Sequence, residues 1–544
     1  MTLEAVQLSQ LYPKLKFLVI DDFESFRSSI RLMLSSFGAQ HVDMANSAED
    51  ALEKCKYEFY DIILCDYNLG DGKNGQQILV DLRLNKRLKH IHLFIMITAQ
   101  TAKDVVLGAR EYLPDGYIAK PLTRPVLEQR LSQLIQQQEA LKPINNEIDL
   151  NNHTKAISLC HHLLSEDTRY KSWCLQTLGK LYLEVGDTVN AIKIYANVLS
   201  TREISWALFG MGQALVQEQK YKQAIASFES TIQNNPNMVE AYDYLSRCHL
   251  KLGHKKEAQK TLEDAVILSP RMVPRQEKLG SISNKNNDIK TASEAYRNAI
   301  EFSENSIHDK PENYLNLGRC LSDWSDGDLS DEGKEKASEA VDVLNTLSNK
   351  FSNNEDACLN ATLIEARVHF GQECKEAAEE KLYQAECFIE EDDLSAEVGL
   401  EFSKTLYSLG QQDRAEKLLI DLAGKFENQA EIIARIEELL DEPEGIKERK
   451  QAQELNKSGI TAFEQGKMDD AIEAFESALI FTPKHAALNL NIVQVISKHY
   501  KENSDPTLLK KAKQYLKRIQ HIPKQHNQYK RMKHFNKVIG KLTK

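Results

Sequence analysis

Residues 16–22 read KFLVIDD, a short and largely apolar run with β-branched residues that ends in two adjacent carboxylates. Four more runs of this kind follow: VDMA at 42–45, DIILC at 61–65, HLFIMIT at 92–98 and GYIAK at 116–120. Between them lie stretches with helical periodicity, near 23–37, 48–56, 76–84 and 103–111, and a last one at 124–137 follows the fifth run. Strands apolar on both faces and separated by helices predict an α/β domain, a five-stranded parallel sheet covered on both sides, with any site at the carboxyl ends of its strands.

The polar residues at those ends then share one edge. Asp21 and Asp22 close the first strand, Asp66 the third, Thr98 the fourth, and Lys120, followed by Pro121, the fifth. Three carboxylates gathered at one edge repel one another. A divalent cation relieves this, and hard oxygen ligands suit Mg²⁺. Taken alone, Asp21 and Asp22 could simply cap the helix that starts at Phe23. Asp66, Thr98 and Lys120 at matching positions favour a site.

Beyond QQQEALKPINNEIDLNN, residues 136–152, the strand signal ends and a helical repeat begins. A small residue followed twelve positions later by alanine recurs as Gly179/Ala191, Gly212/Ala224, Ser246/Ala258, Gly280/Ala292 and Gly459/Ala471. Four past each alanine stands a large apolar residue: Tyr195, Phe228, Leu262, Tyr296 and Phe475. Pro236, Pro270 and Pro483 end three of these units, and weaker copies surround Ala156, Ala378 and Ala415. From Ala191 to Ala292 the alanines are 33, 34 and 34 residues apart. This pattern resembles the tetratricopeptide repeat (TPR), a helix-turn-helix unit. It predicts an all-α solenoid in which an aromatic fills the space left by a small residue on the facing helix. Two interruptions, DWSDGDLSDEGKEK at 323–336 and DEPEG at 441–445, are expected bends.

The strand-end pattern of residues 16–137 resembles the response-regulator receiver family, a flavodoxin-like (βα)5 fold. The resemblance makes Asp66 the nucleophile that takes a phosphoryl group from a phosphohistidine. It makes Asp22 and Asp66 direct Mg²⁺ ligands, Asp21 a ligand through water, and Asn68 a ligand through its backbone carbonyl. Thr98 would hydrogen-bond the phosphoryl oxygens and Lys120 would pair with them. Tyr117 falls at the family's switch aromatic and would move with Thr98. Ala99 is small enough to leave the acyl phosphate accessible, and Gln100 lies where the family tunes hydrolysis. The loop after Asp66, YNLGDGKNG, lacks the proline often found there and is one residue longer before Gly75, which affects loop shape and not chemistry.

The expected domains are an N-terminal extension at 1–14, the receiver at 15–138, a linker at 139–150 broken by Pro143, a TPR array at 151–523 and a basic helix or cap at 524–544. At 544 residues, 27% charged and 42% hydrophobic, the chain has the profile of a helix-rich, multi-unit globular protein. Its nine cysteines form no C-x-x-C pair and read as buried thiols. The start MTLEAVQLSQLYPK lacks the marks of a signal peptide, and no apolar run suits a bilayer, so a cytoplasmic setting without membrane insertion is expected. Neighbours such as His161 and His162 fit a solvated helix face. Residues 507–544 hold twelve Lys/Arg and no acid in a chain of net charge −11, leaving −23 on the remainder. Tyr515, Tyr529 and Phe535 among those cations invite a nucleic-acid reading; a polar cap for the array or a protein contact is the stronger one.

The function expected is a response regulator phosphorylated on Asp66 by a sensor histidine kinase or phosphotransfer protein, with protein binding by the TPR array as output. No enzymatic output signature follows the receiver, so self-phosphorylation from a donor and self-hydrolysis are the only chemistry expected. A receiver-mediated homodimer fits this scheme. The rival readings are a phosphoryl sink or inhibitor that holds a kinase or sibling regulator, and a nucleic-acid-binding regulator acting through the basic tail.

Overall fold

The computed structural model describes residues 10–70, 72–99, 114–166, 168–389, 394–441, 446–483, 485–503, 505–520, 522 and 528–542. The chain divides into two units, Met1–Lys310 and Pro311–Lys544.

In the first unit, β1 (Lys16–Ile20), β2 (His41–Ala45), β3 (Ile62–Asp66), β4 (Leu93–Thr98) and β5 (Gly116–Ala119) form one parallel sheet in the order β2-β1-β3-β4-β5. β3 and β4 bury every residue and β1 all but Lys16, because helices cover both faces. Leu18, Ile20, Ile63, Phe94 and Met96 pack with α2 (Ala48–Tyr57) and α3 (Gly75–Leu84). Phe17, Val19, Leu64, Ile95 and Ile118 pack on the other face with Ile30 and Leu34 of α1 (Glu24–Ser36) and with Leu127, Leu131 and Leu134 of α4, which begins at Arg124. Strand order reverses between β1 and β3, so their carboxyl ends flank the crevice where such sheets bind ligands. The helix expected at 103–111 and Gln100 lie outside the described residues.

α4 corrects the expected linker. It runs unbroken from Arg124 to Asp149 with Pro143 inside, so residues 139–149 are helix and not a separate link broken at Pro143. A proline in a helix interior costs roughly 3 kcal/mol. The residues around it offset this: Leu141 is buried, and Ile144 joins Ala156, Cys160, Leu178 and Leu181 in the first core of the helical array. The receiver's last helix is thus also the array's first, and it closes at Asn151, whose φ is 55°.

The repeat register follows the small-residue pattern. A Cβ on Gly179 would lie 2.6 Å from the Tyr195 ring, on Gly212 2.5 Å from Phe228, and on Gly280 2.7 Å from Tyr296. Ser246, at the equivalent position, is buried and donates its hydroxyl to the Ala258 carbonyl at 2.9 Å. A second periodic feature was not anticipated: a left-handed residue ends the first helix of successive pairs at Gly186, Gln219, Gly253 and Asn287. Only two of the four are glycine, so the glycine signal alone does not reveal it.

In the second unit the same packing recurs, with Gly459 against Phe475 and Gly318 against Leu344. The acidic stretch 323–336 is the turn between the helices Pro311–Ser325 and Asp331–Lys350, with their adjoining ends. Gly327 N–H donates to the Gly371 carbonyl at 3.0 Å, and the Gln372 amide donates to the Ser325 carbonyl at 2.6 Å. In the DEPEG stretch only Asp441 lies among the described residues, at the end of the helix Ala430–Asp441. At the carboxyl end, the helices Pro506–Arg518 and Tyr529–Leu542 bury Leu509, Tyr515, Leu516, Phe535 and Ile539 beside the helix Ala486–Asn503. Tyr515 and Phe535 are therefore core, closed to base stacking, while Lys513, Lys517, Lys533 and Lys537 face solvent. His161 and His162 are exposed as expected. Six cysteines are buried, but Cys374 and Cys387 are exposed, against the expectation of buried thiols throughout.

Candidate functional site

β1 and β3 are neighbours in register, Ile20 beside Cys65, so the residues after each strand meet at one edge. Carboxylate oxygens of Asp21, Asp22 and Asp66 lie within 4.8 Å of one another. Asp21 and Asp66 are buried, 1% and 7% exposed, and Asp22 is the most accessible of the three. Lys120, carried in from the end of β5, bridges the two buried ones, with Nζ 2.9 Å from Asp21 Oδ2 and 2.8 Å from Asp66 Oδ2. Its ammonium also sits 4.2 Å from the centre of the Phe26 ring on α1.

One cation does not balance three carboxylates. Burial pushes the Asp66 carboxyl above its ordinary range although Lys120 pulls it back. Burial also opposes the charge on Lys120, but its two carboxylate partners hold its pKa above the usual value. Asp22 Oδ1 is buried and accepts no hydrogen bond from any described residue. Three carboxylates whose oxygens gather within 4.8 Å, one of them with a buried oxygen that accepts no hydrogen bond from any described residue, form an all-oxygen donor set that suits a hard divalent cation, so the residues present fit Mg²⁺.

The other expected residues take these positions. Thr98 is buried at the end of β4, and its carbonyl accepts the Lys120 N–H at 2.8 Å, which ties the two strand ends together. Ala99 follows it and is exposed. Asn68 is exposed in the loop after β3, between buried Tyr67 and Leu69. Tyr117 is half-buried on β5 and packs against the core under α2 and α3. The Lys120–Pro121 peptide is cis. The capping role weighed for the aspartates is not seen: Phe23 is the cap residue of α1 and the cap has no side-chain bond, while Asp21 Oδ1 accepts the Phe23 N–H at 2.9 Å in the turn before the helix. Asp21 serves the turn and the cluster at once.

Three contributors were not singled out from the sequence. Arg27 Nη1 donates to the Asp21 carbonyl at 2.6 Å, and Phe26 lies beside Lys120. Both come from the face of α1 turned to the strand ends, which the helical period alone does not choose. Gly75 was noted only as a loop marker; a Cβ there would lie 2.2 Å from the Asp66 carbonyl oxygen, so the start of α3 packs directly on the backbone of the acceptor candidate. A glycine nine residues past a strand-end aspartate was the available signal.

Among the described residues no helix is long and apolar enough to cross a membrane. A family model described as the response regulator receiver domain matches residues 17–132, and a tetratricopeptide-repeat model matches 215–271. The chemotaxis protein CheY-3 of Vibrio cholerae is 29% identical over 126 residues, covering 23% of this chain and 95% of that protein. CheY of Pseudomonas aeruginosa is 29% identical over 122 residues, covering 22% of this chain and 97% of that protein. The solved structure of the chemotaxis response regulator CheY4 of V. cholerae is 22% identical, covers 22% of this chain and 98% of that one, and superposes with a TM-score of 0.21. The amino-terminal part of this chain belongs to the response-regulator receiver family, and tetratricopeptide repeats follow it.

Proposed function

We propose that the chain is a two-component response regulator in which Asp66 accepts a phosphoryl group from a histidine kinase or phosphotransfer protein, with protein binding by the repeat array as its output. The observation that supports this most directly is the unbalanced cluster: three carboxylates within 4.8 Å, one bridging lysine, and a buried Asp22 oxygen with no donor among the described residues.

In this reading an Asp66 carboxylate oxygen attacks the phosphorus of a phosphohistidine. The new P–O bond forms as the P–N bond breaks, and the imidazole leaves with that electron pair and takes up a proton. Asp22, Asp66 and the Asn68 carbonyl would hold Mg²⁺, with Asp21 supporting it through water. When bound, Mg²⁺ would supply positive charge against the transferring group. Lys120 already contacts Asp66 and stays beside it to pair with a phosphoryl oxygen, while Thr98 supplies a hydroxyl from the adjacent strand end. Thr98 and Tyr117 then rearrange together as the switch. The chain acts as a cytoplasmic regulator and not as an enzyme on a separate substrate; its only chemistry is its own phosphorylation and the hydrolysis that resets it.

The test is labelling by a small acyl-phosphate donor with Mg²⁺. The wild type is expected to take one label, acid-stable and base-labile, and Asp66→Asn to take none. Equal labelling of the variant would move the acceptor elsewhere.

A further inference from the structure

Within the first unit the receiver meets the repeats at two places far apart in sequence. One is the joint itself, where Asp149 at the end of α4 accepts the His90 N–H at 2.9 Å and lies 2.7 Å from His90 Nδ1, and the Gln138 amide donates to the His90 carbonyl at 2.7 Å. The other lies about 150 residues further on, at the turn after the helix Ile289–Ser303. There the Gln77 amide of α3 donates to the Glu304 carbonyl at 3.0 Å. Beside this contact is a cavity of about 360 Å³, lined from the receiver by Tyr67, Asn74 and Asp81 and from the repeats by Arg271, Phe302 and His308. The receiver therefore spans the first group of repeats from end to end.

The second contact leads straight back to Asp66. Tyr67, the next residue, receives the Gly75 N–H on its carbonyl at 2.9 Å and donates its own N–H to Ile97 of β4 at 2.9 Å. Gly75 opens α3 so close to the Asp66 carbonyl that a Cβ there would lie 2.2 Å from its oxygen. Asn74 caps that helix in a reciprocal box with Gln77: Asn74 Oδ1 accepts the Gln77 N–H at 3.0 Å, and Gln77 Oε1 accepts the Asn74 N–H at 2.8 Å. One amide side chain thus uses its oxygen to close the cap beside the acceptor and its nitrogen to hold the repeat turn. That turn is itself fixed, with Asn305 at φ 58° and the Ser306 hydroxyl on the Ser303 carbonyl at 2.7 Å. A shift of the cap has little slack in which to dissipate.

We propose that the α3 cap is the element through which the state of Asp66 reaches the repeats: loading of Asp66 breaks the Gln77–Glu304 contact and releases the turn at 303–309. The inference rests on the phosphoryl-acceptor reading of Asp66. A phosphoryl group on Asp66 adds bulk and charge to the residue on whose carbonyl Gly75, the first residue of α3, packs with no room even for a Cβ, and the start of α3 carries the positive end of the helix dipole. Tyr67 and the Asn74–Gln77 cap shift with that charge, and Gln77 moves away from Glu304.

Gln77→Glu is the discriminating variant. Glutamate keeps the acceptor that the Asn74 cap uses but sets a carboxylate against the Glu304 carbonyl, so α3 stays capped while the contact is lost. Because coupling is reciprocal, the variant is expected to bind beryllofluoride with Mg²⁺ at least ~5-fold more tightly than wild type. Amide exchange across 301–309 should rise when beryllofluoride is added to wild type, and should already be raised in the variant without it. Unchanged or slowed exchange in wild type, or equal affinity in the two proteins, overturns the coupling. Labelling of Asp66 measured in parallel separates the failures: label present with exchange unchanged overturns the coupling alone, and absence of label overturns the acceptor reading with it.

Discussion

Two buried charge clusters in this chain have opposite balance. At the receiver's strand ends, three carboxylates surround one ammonium. In the second unit, Glu401 is 2% exposed and lies between two guanidinium groups, Arg319 Nε at 2.7 Å and Arg367 close by on the other oxygen. Burial would raise the Glu401 carboxyl, but Arg319, Arg367 and Lys404 together outweigh it and hold it low, at about 2. Asp66 is held high, because burial outweighs its one lysine. The acidic cluster keeps a buried carboxylate oxygen with no donor among the described residues and so can receive a counter-charge, whereas Glu401 has both oxygens paired and ties its helices together.

The comparison can be broken most forcefully at Glu401. Glu401→Ala leaves the buried Arg367 and the half-buried Arg319 without their shared partner, and removing one side of a buried pair typically costs ~3–5 kcal/mol. A urea titration of the variant should show the transition of the repeats at a much lower midpoint; a midpoint within error of wild type would mean that this cluster does not hold the unit.

Acid should act on the same group without mutation. Its folded pKa of about 2 lies below the ordinary 4.5, so its contribution is fully present above the ordinary range and disappears as pH falls toward 2. The difference corresponds to about 3 kcal/mol, by the conversion of ~1.4 kcal/mol per pKa unit. Melting temperatures taken from pH 6 down to pH 2.5 should fall in wild type and fall less steeply in Glu401→Gln. Parallel curves would remove Glu401 as the titrating group.

The smallest effect is expected where the charge is in surplus. Asp22→Asn removes one of three mutually repelling carboxylates, so without Mg²⁺ the receiver should keep its stability to within ~1 kcal/mol. Added Mg²⁺ should then raise the melting temperature of wild type and leave the variant unmoved, because a charged ligand is gone. A loss in metal-free buffer as large as that for Glu401→Ala would erase the distinction between the two clusters.

Local patterns carried much of this into view. The three central strands announced themselves because each is buried on both faces and so reads as an unbroken apolar run, while the edge strands β2 and β5 keep exposed residues such as His41 and Ala119; Asp21, Asp22, Asp66, Thr98 and Lys120 followed from the rule that parallel strands end at one edge. Gly212 and Phe228 were legible because their contact is local and repeats at a fixed spacing. Pro143 misled, since its intrinsic cost favours a break; burial of Leu141 and Ile144 outweighs that cost, and burial is not a local property. Arg319, Glu401 and Arg367 carry no joint signature, being separated by 34 to 82 residues.

By itself, then, the sequence determined the elements whose partners lie within one repeat or whose chemistry is fixed by strand ends: the parallel sheet, the carboxylate edge and the glycine-to-aromatic register of the repeats. Only the tertiary structure decided that α4 serves receiver and array alike, that Glu401 is shared by two arginines, and that Gln77 reaches Glu304. Each of these depends on a contact between residues remote in the chain, and the energy of such a contact is set by the burial and geometry around it, which no local pattern of residues encodes.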